Sequence, residues 1–291
     1  MLAKNKYYIC SQKSLIKVSG SDRFDFLQGM VSNDLQILKE KKCIYCAFLT
    51  PQGKFLYDFF ILNLKDFLYL ECSKNRQKEI IAKFNLFKLR ADVNFSNEDS
   101  LISVLVNTTL FEKIEIQKNQ NIIHFQDPRN KNFFTKIYCQ NISLKSFVKK
   151  FKLKKINDNC FEKIRLKNVI PDAEKDFKKE KILLLEARFD KLNGISWNKG
   201  CYIGQEVTAI TNYRAKLKKQ LYGLKIEGKI NSDEIFYGNK KIGFLTSYIG
   251  GFGIGMLNIK ETQDCISKKK KLSSSDALFE PFEPFWSKKL T

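Results

Sequence analysis

Beyond Tyr213 the chain breaks into short strand-like runs separated by Gly and Asn, and no other feature restricts the fold as much. Lys219 to Ile226, Glu234 to Tyr237, Lys241 to Ser247 and Gly253 to Asn258 follow one another at the spacing of a small all-β module. Gly250-Gly251-Phe252-Gly253 reads as a β-turn inside it. The Lys/Ser run from Ser267 to Ser275 predicts a solvated loop or tail.

Upstream the pattern is mixed. Ser14 to Ser19 alternates apolar and polar residues, as a half-buried strand does, and Ser21 can cap a short helix that runs to Gln28 and ends at Gly29. Ile44 to Leu49 and Phe55 to Leu62 read as a hairpin. Its turn is Thr50-Pro51-Gln52-Gly53, with Pro where φ is fixed and Gly where φ must be positive. Phe67 to Cys72, Leu101 to Val106 and Ile122 to Gln126 are further strands. Ser73 can cap a helix from Lys74 to Phe87, and Leu144 to Phe151 is a basic amphipathic helix. Leu192-Asn193-Gly194 is a turn leading into Lys199-Gly200-Cys201-Tyr202-Ile203-Gly204-Gln205-Glu206.

At 291 residues and 43% hydrophobic, the chain can bury a large core in two domains, or three small ones. No apolar run reaches the length of a membrane span, so no membrane partner is expected. Met1 to Ser11 carries no secretory h-region. Eight scattered cysteines then read as reduced thiols, and the expected location is cytoplasmic. The net charge of +21 has two readings. One is a Lys-rich coding bias spread over a solvated surface. The other is a basic field for a polyanion, either nucleic acid or a ligand with several carboxylates. Seven arginines against forty-five lysines argue against direct nucleic-acid binding, because Arg is the residue of bidentate phosphate and base recognition.

Cys201 is the residue of greatest chemical interest. A thiol beside glycine, with an ammonium two residues away, has the setting that favours a reactive thiolate, although a small buried cysteine at a turn fits the same residues. Cys43-Ile44-Tyr45-Cys46 is a lone C-x-x-C in a strand, where alternation points the two thiols apart. With His124 the single histidine, no metal site or Ser-His-Asp triad is expected. Neither a G-x-G-x-x-G nor a Walker loop is present.

The segment Lys199 to Glu206 resembles the K-G-C-Y-x-G-Q-E signature of the YgfZ family, relatives of the glycine-cleavage T-proteins. Other blocks agree in family order: Phe26-Leu27-Gln28-Gly29 with Ser32-Asn33-Asp34, Leu49-Thr50-Pro51-Gln52-Gly53-Lys54, Leu89-Arg90-Ala91-Asp92-Val93, Asp127-Pro128-Arg129, Ile170-Pro171-Asp172 and Asn212-Tyr213-Arg214. The resemblance runs from about Leu15 to Gly251.

It implies an α+β fold, with a T-protein-like folate-binding body of two intertwined subdomains over 1–211 and a C-terminal β-barrel with its tail over 212–291. It implies tetrahydrofolate, or a one-carbon or polyglutamate derivative, as cofactor. Cys201 is the required residue, and Glu186, Lys199, Tyr202, Gln205 and Arg214 are the folate-site candidates. A carboxylate such as Glu186 can accept two parallel N–H bonds from an aminopterin ring. Arg165, Arg188, Arg214 and nearby lysines are all candidates for the glutamate tail, and Arg188 replaces an Asn common in the family. The implied function is support of iron–sulfur protein assembly or repair, tRNA-modifying enzymes included, with client proteins or assembly factors as partners and Cys201 as a sulfur ligand, an iron ligand or a redox-sensing thiol. Two alternatives are a folate-dependent aminomethyltransferase and a basic RNA-binding module. The first lacks its acid: T-proteins carry an Asp after the strand matching Val104-Leu105-Val106-Asn107, and here no acid follows until Glu112.

Overall fold

Short strands and helices alternate through the first half of the chain: β1 (Lys6–Ile9), β2 (Lys13–Ser19), α1 (Arg23–Met30), β3 (Cys43–Leu49), β4 (Phe55–Asn63), β5 (Leu68–Ser73), α2 (Gln77–Phe87), β6 (Asn94–Glu98), β7 (Ile102–Val106), α3 (Phe111–Ile116), β8 (Ile122–Gln126), β9 (Thr135–Cys139), α4 (Asn141–Lys150) and β10 (Lys154–Lys155). The rest comprises α5 (Asp158–Lys167), α6 (Ala173–Asp176), α7 (Gln205–Tyr213), β11 (Lys219–Gly228), β12 (Glu234–Tyr237), β13 (Lys240–Ile249), β14 (Phe252–Asn258), α8 (Ile259–Ser267), β15 (Leu272–Ser274) and β16 (Ala277–Phe282). The structure, a computed structural model, describes residues 1–116, 122–214 and 216–287. It divides into two units. One is Met1–Leu49, Tyr57–Asn157 and Leu192–Ile203; the other is Thr50–Leu56, Asp158–Lys191 and Gly204–Thr291.

The first unit holds two five-stranded sheets, ordered β3-β4-β5-β2-β6 and β10-β1-β7-β9-β8. Every residue of β3 is buried, so its sheet is covered on both faces. Phe84 of α2 centres an aromatic cluster with Phe26, Phe48, Phe59 and Phe95, all with ring centroids within 6 Å. The second sheet packs Val104, Val106 and Ile137 against Leu144 and Phe147 of α4.

Buried charge joins the two sheets. Lys136 of β9 donates to Glu71 of β5, and both are almost fully buried. Ser103 Oγ of β7 donates to the other carboxylate oxygen at 2.7 Å. Burial alone would raise the Glu71 carboxyl, but the Lys136 ammonium and Ser103 outweigh it and hold it below its ordinary value. Beside this pair, Arg129 and Asp127 form a second buried ion pair at 2.8 Å.

In the second unit, β11-β14-β13-β12-β15-β16 closes a barrel around Tyr222, Leu224, Ile235, Leu257, Leu272 and Phe279. Closure removes the exposed edges that a small antiparallel sheet would present. Arg165 of α5 is buried and ties its helix to the barrel. It donates to Asp176, to Ile170 O at 3.0 Å and to Ser247 Oγ of β13 at 2.9 Å.

Three expectations change. The helix expected to be capped by Ser21 starts at Arg23 after Asp22, because Ser21 turns to the Asp92 carboxylate through its N–H and hydroxyl. Gly29 lies inside that helix rather than ending it. The Lys/Ser run is not a solvated tail: Leu272 and Ser274 are buried in β15, and the lysines precede the strand.

Removing Lys136 leaves Glu71 as an uncompensated buried carboxylate. Lys136→Met should cost about 3–5 kcal/mol of stability, and adding Glu71→Leu should restore most of it. Urea denaturation checks both. The wild-type contribution is complete above the unfolded carboxyl pKa of about 4.3 and is lost as pH falls through the lower folded value.

Candidate functional site

The segment leading to Cys201 is clasped to the end of α1. Lys199 is buried, and its ammonium donates to three main-chain carbonyls: Gln28, Val31 at 2.8 Å and Asn33 at 3.0 Å. These carbonyls include the C-terminal end of α1, where the helix dipole and unpaired C=O groups favour a cation. Burial pulls the lysine down to about 8, so near neutral pH the ammonium prevails. Its Nζ lies 5.1 Å from the ring centroid of the buried Tyr202.

The 28–34 block resembling the family pattern has a physical role. Gln28 Oε1 accepts from Leu35 N at 2.8 Å, and Gln28 Nε2 donates to Asp34 at 2.9 Å. Ser32 Oγ donates to Gly194 O at 2.6 Å and accepts from Ala47 N at 2.9 Å. Asn33 Nδ2 donates to Tyr45 O and Asn193 O, both at 2.8 Å. Asn193 at φ +52 makes the turn that brings 194–203 back, and Ser196 N and Ile203 N donate to Ser32 O and Gly29 O. Short polar side chains in this block thus fasten the signature in place. In the sequence Ser32, Asn33 and Asp34 stand out only by resemblance; the signal that finds their role is polar residues of small size directly after a helix.

On this base Cys201 is exposed. Gly204 follows at φ +78, a left-handed backbone that suits glycine, and starts α7. Gly53, at φ +70 in the Thr50–Gly53 turn, packs on that helix: a Cβ there would stand 2.7 Å from Val207 Cβ. Gln205 is half-buried in the first turn of α7, and Arg214 is exposed at its C-terminal end.

Glu186 lies in the second unit, buried in the turns between α6 and the barrel. Its Oε2 accepts from Leu183 N at 2.9 Å, and its Oε1 stands 3.7 Å from Nζ of the half-buried Lys219. The structure separates the three arginines. Arg165 is committed to Asp176 and Glu162, and Arg188 to Leu221 O at 2.7 Å and Glu283 at 2.6 Å; both are buried. Arg214 alone of the three is exposed. Cys43 and Cys46 are buried in β3, where desolvation pushes both thiols up.

Residues 218–289 match the profile of the CAF17 C-terminal β-barrel domain, which is the closed barrel described above. The mitochondrial iron–sulfur cluster assembly factor IBA57 of Mus musculus is 26% identical over 238 residues, covering 75% of this chain and 65% of the relative. The IBA57 homologue of Dictyostelium discoideum is 26% identical over 249 residues, covering 72% and 60%. The tRNA-modifying protein YgfZ of Hamiltonella defensa is 27% identical over 232 residues, covering 72% and 67%.

The chain is similar in sequence to the IBA57 and YgfZ proteins.

The alignments span a little under two thirds of the IBA57 relatives' own length. The glycine-cleavage aminomethyltransferase T of Bartonella henselae superposes with a TM-score of 0.79 at 12% identity, covering 99% of this chain and 87% of that one, which establishes a T-protein-like fold. The α+β reading with its terminal barrel holds. The expectation of a cytoplasmic protein does not: the IBA57 homologues are mitochondrial proteins. Reduced thiols suit any reducing compartment, so the cysteine pattern does not separate cytosol from mitochondrion.

Brief iodoacetamide treatment of the native protein should modify Cys201 and the exposed Cys160 ahead of the other six cysteines. Burial pushes Cys10 and Cys72 up to about 12 and Cys139 to about 11. Peptide mass spectrometry reads the ranking, and early labelling of Cys43 or Cys46 would contradict this arrangement.

Proposed function

We propose that this protein binds a tetrahydrofolate and supports the assembly or repair of iron–sulfur proteins, with Cys201 as the working thiol. The carrying observation is Cys201 itself: exposed, directly after Gly200, on a segment fixed by a buried lysine. The IBA57 and YgfZ homologies support the reading and point to a mitochondrial setting. In this reading 1–211 is the folate-binding body and 212–291 the barrel and tail. Cys201 offers one thiolate to the iron of a cluster in transit, and a client or assembly factor supplies the remaining ligands. Clients include iron–sulfur enzymes that modify tRNA.

For the folate, Glu186 is the pterin acceptor. Its Oε2 is already held by Leu183 N–H, which orients the carboxylate, and among the described residues the ion-pair partner of Oε1 is Lys219, a long side chain that can swing into solvent. A pterin N–H pair would replace that long ion pair with charge-assisted hydrogen bonds. Tyr202, Gln205 and Lys199 are further folate-site candidates by the family resemblance, with Lys199 positioning its own segment rather than touching ligand. Arg214 is the exposed cation for the glutamate tail, and a polyglutamate form gains from the basic surface.

Aminomethyl transfer is the weaker reading. No acid follows the Val104–Asn107 block until Glu112, and Asn107 itself is used locally: its Oδ1 accepts from Thr109 N at 2.9 Å and its Nδ2 donates to Leu2 O.

Glu186→Ala should weaken tetrahydrofolate binding roughly tenfold or more, corresponding to about 1.5–3 kcal/mol. Cys201→Ala should keep folate affinity and the fold yet lose the ability to restore iron–sulfur enzyme activity to cells lacking the protein. Titration calorimetry and the cellular enzyme assay read the two arms. Unchanged folate affinity in Glu186→Ala removes Glu186 from the site, and full rescue by Cys201→Ala removes the thiol from the function.

A further inference from the structure

The positive charge is not evenly spread. Residues 128–157 carry nine Lys and Arg and no Asp or Glu. Arg129 and Lys136 are buried in ion pairs, but Lys145, Lys149, Lys150, Lys152, Lys154 and Lys155 are all exposed, and among the described residues none of these six has an ion-pair partner. They occupy one contiguous piece of the first unit: α4, the turn that closes it, and β10 at the sheet edge. Leu153 N donates to Val148 O and Lys154 N to Asn5 O at 2.8 Å, so the turn folds directly from helix to strand.

Two features show that this concentration is kept against local preference. Lys154 sits in register with Lys6 of β1, placing like charges side by side across a strand pair. Lys152 has φ +50 at the end of α4, a left-handed position where glycine is the ordinary choice. A third feature says what the face meets. Ile142 is 72% exposed and shares one helical face with Lys145 and Lys149. The opposite face of α4, with Leu144 and Phe147, is buried in the core, so the helix is presented side-on.

We propose that this face binds the surface of an anionic phospholipid bilayer, with the lysines lying over the headgroups and Ile142 dipping between them. The patch is all lysine, which suits diffuse charge and lacks the bidentate fork that phosphate-by-phosphate or base recognition uses. Phe151, its one aromatic, is half-buried and packs on Phe147 at 4.7 Å, so it is no stacking platform for single-stranded bases. The sequence expectation of no membrane partner rested on the absence of an apolar span, which bears on insertion and not on surface attraction.

The test is sedimentation of the full chain with phosphatidylcholine vesicles containing 0, 20 or 40% phosphatidylglycerol, at low and high salt, alongside a single-stranded RNA 20-mer. Binding should rise with the anionic fraction and fall with salt. Lys149→Glu/Lys150→Glu/Lys154→Glu should weaken it at least about tenfold, since each surface lysine contributes appreciably to bilayer attraction. A variant of equal net charge reversed on the barrel, at Lys229, Lys260 and Lys270, should bind nearly as wild type. Ile142→Ser should weaken binding with no change in charge. Equal losses in the two charge-reversed variants would mean that only net charge acts, and would overturn the proposal. So would RNA binding through the same three lysines with no vesicle binding.

Discussion

A single buried ammonium organises the region that matters most. Lys199 brings together the end of α1, the 31–33 turn and its own segment, because three carbonyls converge on one nitrogen. Net hydrogen-bond energies are modest, but a buried carbonyl left without a donor costs about 1–3 kcal/mol, so the three together make the arrangement hard to leave. Everything downstream follows from it. The segment cannot drift, Tyr202 is pinned inward against the ammonium, Cys201 is left facing out, and Gly204 turns the chain into α7.

That arrangement also reassigns the lysine. From sequence its proximity to Cys201 suggested an activating charge, whereas the structure shows it spanning from residue 199 to residue 28. Sequence neighbours are not spatial roles: a long side chain can reach a helix end more than 160 residues away as easily as the next residue but one. The same limit applies to Arg165 and Arg188, which looked like tail-binding cations and proved to be buried struts. Burial of a guanidinium against Asp176 or Glu283 depends on tertiary contacts that no local pattern encodes.

What could be read was governed by local geometry. The Thr50–Gly53 turn was legible because Pro and Gly fix their own dihedrals, and β3, β4 and the first four barrel strands were legible from apolar runs between turn residues. β15 and β16 were hidden. The lysines ahead of β15 mask a strand only three residues long, and its partner contains Pro281, which reads as a breaker until the barrel supplies its neighbours. Helix α5 was missed because its exposed face is charged throughout and its apolar residues are few. The candidate site was legible as a motif, since eight consecutive residues carry it, while the polar clasp beneath it became visible only with the fold.

The Lys199 clasp holds the thiol segment, and hydrogen exchange of wild type against Lys199→Met measures it directly. If Lys199 fastens the thiol segment to the end of α1, amides of residues 28–35 and 196–203 should lose protection together, with the barrel strands unchanged. Protection that persists in both segments, in a variant confirmed to be folded, would show that the segment is held by other contacts and that Lys199 does not position Cys201.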